Sequence, residues 1–239
     1  MSEQIYTIPL SEVFEECENH PEYGCPFCRL YNKLEETETD IMLGASLMEP
    51  DIRIKTNELG FCQTHYGKLL CGKNRLGLGL ITESHLEELR RELSDGAFAS
   101  LFGNTGKKAE KNLNRVSGSC YICARLDYKF SRMISNAVQF WSEDETFRGR
   151  TGKQAYICLP HLALWLTQGK EELKKGYGDF YKAVSGPTLA YFDKLKEDVS
   201  WFCKKFDYRY DAEPWGDSKD ALERAQKFLC SDIHGEVKK

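Results

Sequence analysis

Cys25-Pro26-Phe27-Cys28 is followed, after 33 intervening residues, by Cys62-Gln63-Thr64-His65, and the same order returns as Cys120-Tyr121-Ile122-Cys123 and, after 34 intervening residues, Cys158-Leu159-Pro160-His161. The CxxC pairs are offset by 120 − 25 = 95 positions and the CxxH pairs by 158 − 62 = 96. A single CxxC also describes helix caps and redox pairs. Two CxxC…CxxH sets at matched spacing describe two metal sites, because a tetrahedral ion takes four soft or borderline ligands from two short chelating turns. Cysteines serving only as small buried hydrophobes would give no reason for both histidines to recur at the same distance.

The eight ligands expected are therefore Cys25, Cys28, Cys62, His65, Cys120, Cys123, Cys158 and His161, forming two Cys3His sites. Both CxxC pairs precede helical patterns, and both CxxH pairs read as first helical turns, where positions i and i+3 share a face. Zn²⁺ with three thiolates carries a net charge of about −1, which helix N-termini favour. Pro26 and Pro160 stiffen two of the four turns by fixing φ. Two zinc ions are the simplest occupants, and an iron–sulfur cluster is the alternative. Haem attachment is excluded, since Arg29 and Ala124, not histidine, follow the CxxC pairs. Whether each CxxC joins the CxxH of its own repeat or of the other repeat stays open on spacing alone.

Working outward, apolar residues recur at helical spacing almost everywhere. Examples are Phe27, Leu30, Leu34, Ile41 and Leu47, then Leu86, Leu89 and Leu93, with similar patterns over Tyr121–Trp141, Cys158–Leu166 and Leu189–Phe206. Ser185-Gly186-Pro187 predicts a helix start, and a last helix is expected from about Ser218, with Asp217 or Ser218 as its cap. The fold class expected is all-α: two pseudo-repeat halves, each with a metal site, plus a C-terminal helical extension. The division is 1–95, a linker over 96–118 rich in Gly, Ser, Asn and Lys, and 119–239. Cys17, Cys71, Cys203 and Cys230 fall outside the pattern and read as buried packing residues.

Of 239 residues, 41% are hydrophobic and 29% charged, as in ordinary globular proteins. The net charge of −4 offers phosphate backbones and anionic lipid no global attraction. Lys107, Lys108, Lys111 and Arg115 cluster in the linker and read as solvated, so no nucleic-acid partner is expected. From the acidic N-terminus and the lack of a long apolar run, neither a secretion signal nor a membrane span is expected. Ten cysteines in such a chain ask for metal or burial rather than disulfides, and a cytoplasmic location is expected.

The ordered set CPFC, MEPDIRIKTNELGFCQTH, KNRLGLGL, CYICARLDY, CLPHLALWL and RYDAEPWGDSKDALERAQKFL resembles an uncharacterised bacterial family known only as a domain of unknown function. The resemblance spans nearly the whole chain and implies no activity. Its polar positions near the metal turns are Glu49, Arg53, Asn57, Asn74, Arg75, Arg125 and Asp127. They either line a pocket or hydrogen-bond the helix ends and ligands around each ion, and the second role is the expected one.

No nucleophile–base signature such as GxSxG and no P-loop is present, so the leading expectation is a zinc-bound helical scaffold for an unidentified protein or small ligand, more plausibly not an enzyme. Two alternatives stand beside it. One is a thiol redox sensor that ejects zinc; the other is an enzyme using a polar pocket between the repeats.

Overall fold

The computed structural model describes residues 7–44, 49–99, 107–235 and 237, and every regular element among them is helical. Besides short 3₁₀ turns, the α-helices in chain order are α1 (Thr7–Asn19), α2 (Pro26–Leu43), α3 (Pro50–Leu59), α4 (Gln63–Cys71), α5 (Arg75–Ala99), α6 (Lys107–Ser117), α7 (Tyr121–Glu143), α8 (Glu145–Gly152), α9 (Leu159–Leu173), α10 (Tyr177–Lys204) and α11 (Ala221–Cys230). The protein is all-α. After each CxxC comes a long helix, then a short one, then a helix opening at CxxH, then a long one, so α2 to α5 and α7 to α10 follow the same order.

The chain forms two compact units, one made of Met1–Lys33 with Phe130–Lys239 and one of Leu34–Lys129. The second is thus a continuous segment placed between the two pieces of the first, and both crossings fall within helices, α2 and α7.

In the discontinuous unit, α1 packs on α8, and α9, α10 and α11 pack on one another. Phe14 sits at the centre of an aromatic core, its ring 5.4 Å from Phe27, 4.7 Å from Phe147 and 6.0 Å from Trp165. Trp165 meets Phe180 edge-on at 5.3 Å. All five side chains are fully buried, each contributing on the order of 2–3 kcal/mol of apolar transfer energy. Gly169 in α9 is part of this packing: a Cβ there would lie 2.3 Å from the Phe180 ring. In the continuous unit α3, α4 and α6 pack along α5, and Met42, Leu69, Leu78, Ile81, Ile122 and Leu126 form the core.

Three local expectations are corrected. The helix expected to begin at Ser185–Pro187 starts at Tyr177 and runs through Pro187. Proline there removes one backbone donor, whose acceptor would be the carbonyl of half-buried Ala183, while Thr188 turns inward and its hydroxyl bridges the amide and carbonyl of Ile157. The final helix begins at Ala221, not Ser218. Residues Gly216–Ser218 form a 3₁₀ turn closed by the Ser218 hydroxyl donating to the Trp215 carbonyl. Of the four unmatched cysteines only Cys17 is buried; Cys71, Cys203 and Cys230 are exposed, at or near the ends of α4, α10 and α11. In the stretch read as a linker, 107–117 is helical as α6. Leu47 and the side chains of Lys107 and Lys108 lie outside the described residues.

Candidate metal centres

All four chelating turns are built in one way. Cys25, Cys62, Cys120 and Cys158 each immediately precede a helix. Each gives its carbonyl to the first intrahelical bond, from the amides of Arg29, Tyr66, Ala124 and Leu162 respectively, at 2.8–3.1 Å. The second ligand of each pair follows three residues later, in the first turn. Every ligand pair therefore sits at the positive end of a helix, where unpaired amides favour thiolate charge. Proline at the first position of α2 and at the second of α9 costs nothing there, since those amides have no intrahelical acceptor.

The eight expected ligands converge in two groups that could each hold an ion: Cys25, Cys28, Cys158 and His161, and Cys62, His65, Cys120 and Cys123, each with its donor atoms within 4.8 Å of one another. The pairing is crosswise. The CxxC of the first repeat meets the CxxH of the second, and the reverse. Each group lies wholly inside one compact unit.

The separations fit a single ion. A tetrahedron with metal–sulfur bonds of about 2.3 Å and metal–nitrogen bonds of about 2.0–2.1 Å has S···S edges of about 3.8 Å and S···N edges of about 3.5 Å. In the first centre Cys28 and Cys158 sulfurs are 3.6 Å apart, and His161 Nδ1 is 3.8, 3.4 and 3.1 Å from Cys25, Cys28 and Cys158. In the second, Cys62 and Cys123 sulfurs are 3.9 Å apart, and His65 Nδ1 is 3.2, 3.4 and 3.2 Å from Cys62, Cys120 and Cys123. Disulfide sulfurs would be about 2.05 Å apart, and all ten cysteines are free thiols.

The surroundings of the two centres differ. Every ligand of the first is buried, the most exposed being His161 at 5%. The segment after α11 closes over it: the Asp232 amide donates to Cys28 Sγ at 3.3 Å, and Asn32 Nδ2 holds the Asp232 carbonyl at 2.8 Å. In the second centre His65 and Cys120 are buried while Cys62 and Cys123 are half-buried. There Glu35, fully buried, places Oε1 2.9 Å from His65 Nε2 and accepts from Lys68 Nζ at 2.7 Å. A carboxylate on Nε2 fixes the tautomer that leaves Nδ1 free to face the sulfurs.

Without a cation, each cluster localises charge unevenly. Burial opposes ionisation of Cys120, but hydrogen bonding to His65 outweighs it and brings the thiol down to about 6. Burial likewise disfavours charged His65, yet Cys120 and Glu35 push it up to about 10. Burial and the neighbouring Cys120 push Cys123 up. In the first centre hydrogen bonds from Cys158, Cys28 and His161 overcome burial and hold Cys25 well below the thiol range. Cys28 is raised, chiefly by its bonds to Cys158 and Cys25. A divalent cation binding these sets would displace the protons that Cys123 and Cys28 retain and take their sulfurs as thiolates.

The seven polar positions near these turns lie within the continuous unit, and four of them, Asn57, Asn74, Arg75 and Arg125, make distinct contacts. Asn74 caps α5, accepting from the Gly77 amide and donating to the Leu43 carbonyl. Asn57 accepts from the Ser84 hydroxyl. Arg75 donates to the Leu70 carbonyl. Arg125 and Lys129 both bond the fully buried Glu38 carboxylate and, against its burial, hold it below the usual range. Glu49 is exposed and precedes α3, Arg53 lies in the first turn of that helix, and Asp127 is exposed on α7. A groove on α4 and α5, roughly 560 Å³, contains Arg75 and is lined by Tyr66, Leu70, Leu78 and Leu86.

Sequence reading missed Glu35, Glu38, Lys68 and Asp232. A signal existed for the two glutamates: Cys28, Tyr31, Glu35, Glu38 and Met42 follow one helical stripe, and all five are buried. Carboxylates on a core stripe need cationic or metal-ligand partners.

A profile described as a family of unknown function, DUF6062, matches residues 1–236. No curated protein and no solved structure matches the chain. The chain belongs to the DUF6062 family.

Proposed function

We propose that this member of the DUF6062 family is a non-enzymatic helical scaffold held together by two zinc ions, one in each Cys3His cluster. The observation that carries the reading is the pair of closed, tetrahedrally spaced ligand sets with all four positions supplied by the protein. Such a set leaves no open coordination position for water or substrate, which is the arrangement of structural rather than catalytic zinc. Each ion would join two helix N-termini and contribute on the order of 10–16 kcal/mol of apparent binding energy to folding. Ligand atoms gathered within 4.8 Å favour one ion over an iron–sulfur cluster, whose cysteines are spread over several irons. Zinc–thiolate centres and ten cysteines without a disulfide among them suit a reducing, cytoplasmic setting.

Binding of a protein or small ligand is supported by the groove on α4 and α5, where Leu70 and Leu86 are 39% and 60% exposed on an apolar floor. Elemental analysis of the purified full-length protein tests the metal reading. Two zinc per chain is the expected result; no metal, or iron with inorganic sulfide, refutes it.

A further inference from the structure

The two clusters share a ligand set but not an environment, and the difference falls on the sulfurs. In the first, Cys25, Cys28 and Cys158 are at most 3% exposed. Cys28 also receives the Asp232 amide from the overlying C-terminal segment, and such a bond withdraws electron density from a thiolate. In the second, Cys62 and Cys123 are each half-buried, and their sulfurs are 3.9 Å apart. Cys62 precedes α4 and Cys123 lies in the first turn of α7, so the two come from separate segments, and a bond between them removes one ligand from each chelating turn at once. Oxidation of a thiolate follows its access to the oxidant.

Resting on the reading that both clusters hold zinc, we propose that the second centre is a site of oxidative modification, in which a hydroperoxide joins Cys62 to Cys123 and releases the ion, while the first centre is kept intact. The Cys62 thiolate attacks one oxygen of hydrogen peroxide; the S–O bond forms, the O–O bond breaks and hydroxide leaves, giving a sulfenic acid. The Cys123 thiolate then attacks that sulfur, forming the S–S bond and breaking S–O, with a second hydroxide leaving. Two thiolates lose two electrons, and the peroxide gains two and, with two protons from solvent, becomes two waters. Only Cys120 and His65 remain to the metal, two ligands instead of four, and the ion departs.

The test uses the full-length protein after elemental analysis, treated with a few equivalents of hydrogen peroxide in the presence of a zinc-binding dye, followed by peptide mapping without reduction. Exposed Cys71, Cys203 and Cys230 serve as internal references for ordinary thiols. We expect one equivalent of zinc to be released at least tenfold faster than the second, with Cys62–Cys123 cross-linked peptides appearing at the same rate. Added dithiol and zinc should restore the starting protein. Release of both ions together, earlier oxidation of the first centre, a cross-link elsewhere, or oxidation of the three reference thiols with both ions retained would each overturn the proposal while leaving the zinc reading intact. A purified protein without zinc removes both.

Discussion

Replacing Glu35 separates the two centres experimentally. Its carboxylate is fully buried, with one oxygen 2.9 Å from His65 Nε2 and the other accepting from Lys68. Hydrogen bonds to charged groups are worth about 1.5–3 kcal/mol, and carboxylates behind a metal-bound histidine typically change metal affinity by about 10–100-fold. In Glu35→Gln the amide oxygen can still accept from Nε2, so the loss should stay near tenfold, about 1.4 kcal/mol. In Glu35→Ala both interactions go, and the loss should approach a hundredfold, about 2.7 kcal/mol. The Lys68 side chain, 30% exposed, can turn to solvent and adds little to either figure. Native mass spectrometry during titration with a chelator reads both sites in one experiment. One zinc should be lost at correspondingly lower chelator concentration while the other is held as in the unsubstituted protein. Unchanged affinity in Glu35→Ala, or equal weakening of both ions, would refute the role given to Glu35.

Metal retention should fall steeply with acidification. In the metal-free second centre His65 holds a proton up to about pH 10, and Cys123 keeps its own, so at pH 7 an incoming ion displaces at least two protons. Apparent affinity should then change by at least about a hundredfold per pH unit, and a slope below one proton per ion would contradict the assignment. In the metal-free protein the His65–Cys120 pair should act in the opposite sense at its two limits. The raised histidine contributes stability that is lost as pH rises through about 10, and the lowered thiol contributes stability that is lost as pH falls through about 6, so thermal melts of the apo protein should be most favourable between these values. Removing residues after Cys230 takes away the Asp232 amide from Cys28 and should speed chelator extraction from the first centre about tenfold, with the second unchanged; equal rates would show that the segment does not protect it. Gly169→Ala drives a Cβ into the buried Phe180 ring and should destabilise the fold by about 1–3 kcal/mol, read as a lower midpoint in denaturant, with an unchanged midpoint refuting the packing.

Much of this molecule was legible in one dimension. The repeated CxxC and CxxH pairs marked the eight side chains that converge in two groups, because residues three apart share one face of a helix turn, a local relation that leaves a local signature. Helical periodicity gave the all-α class for the same reason: burial of one face of a helix depends on spacing along that helix alone. Where a helix began was less legible. Pro187 reads as a start, yet α10 continues through it, because packing of Phe180, Val184 and Thr188 on one buried face outweighs one missing amide.

The partners of those turns were decided only in three dimensions. Joining Cys28 to Cys158 closes a span of 130 residues, against 34 for Cys28 to Cys62, yet the extra loop entropy is only about 1.2 kcal/mol. Spacing therefore could not choose, and the packing of helices into two units, one of them discontinuous in sequence, did. The same packing brought Glu35 behind His65 and Asp232 over Cys28, contacts 30 and 204 positions apart that no periodicity encodes. Two ligand sets that are nearly copies in sequence became unequal in exposure, since burial belongs to the neighbours that folding supplies and not to the motif itself.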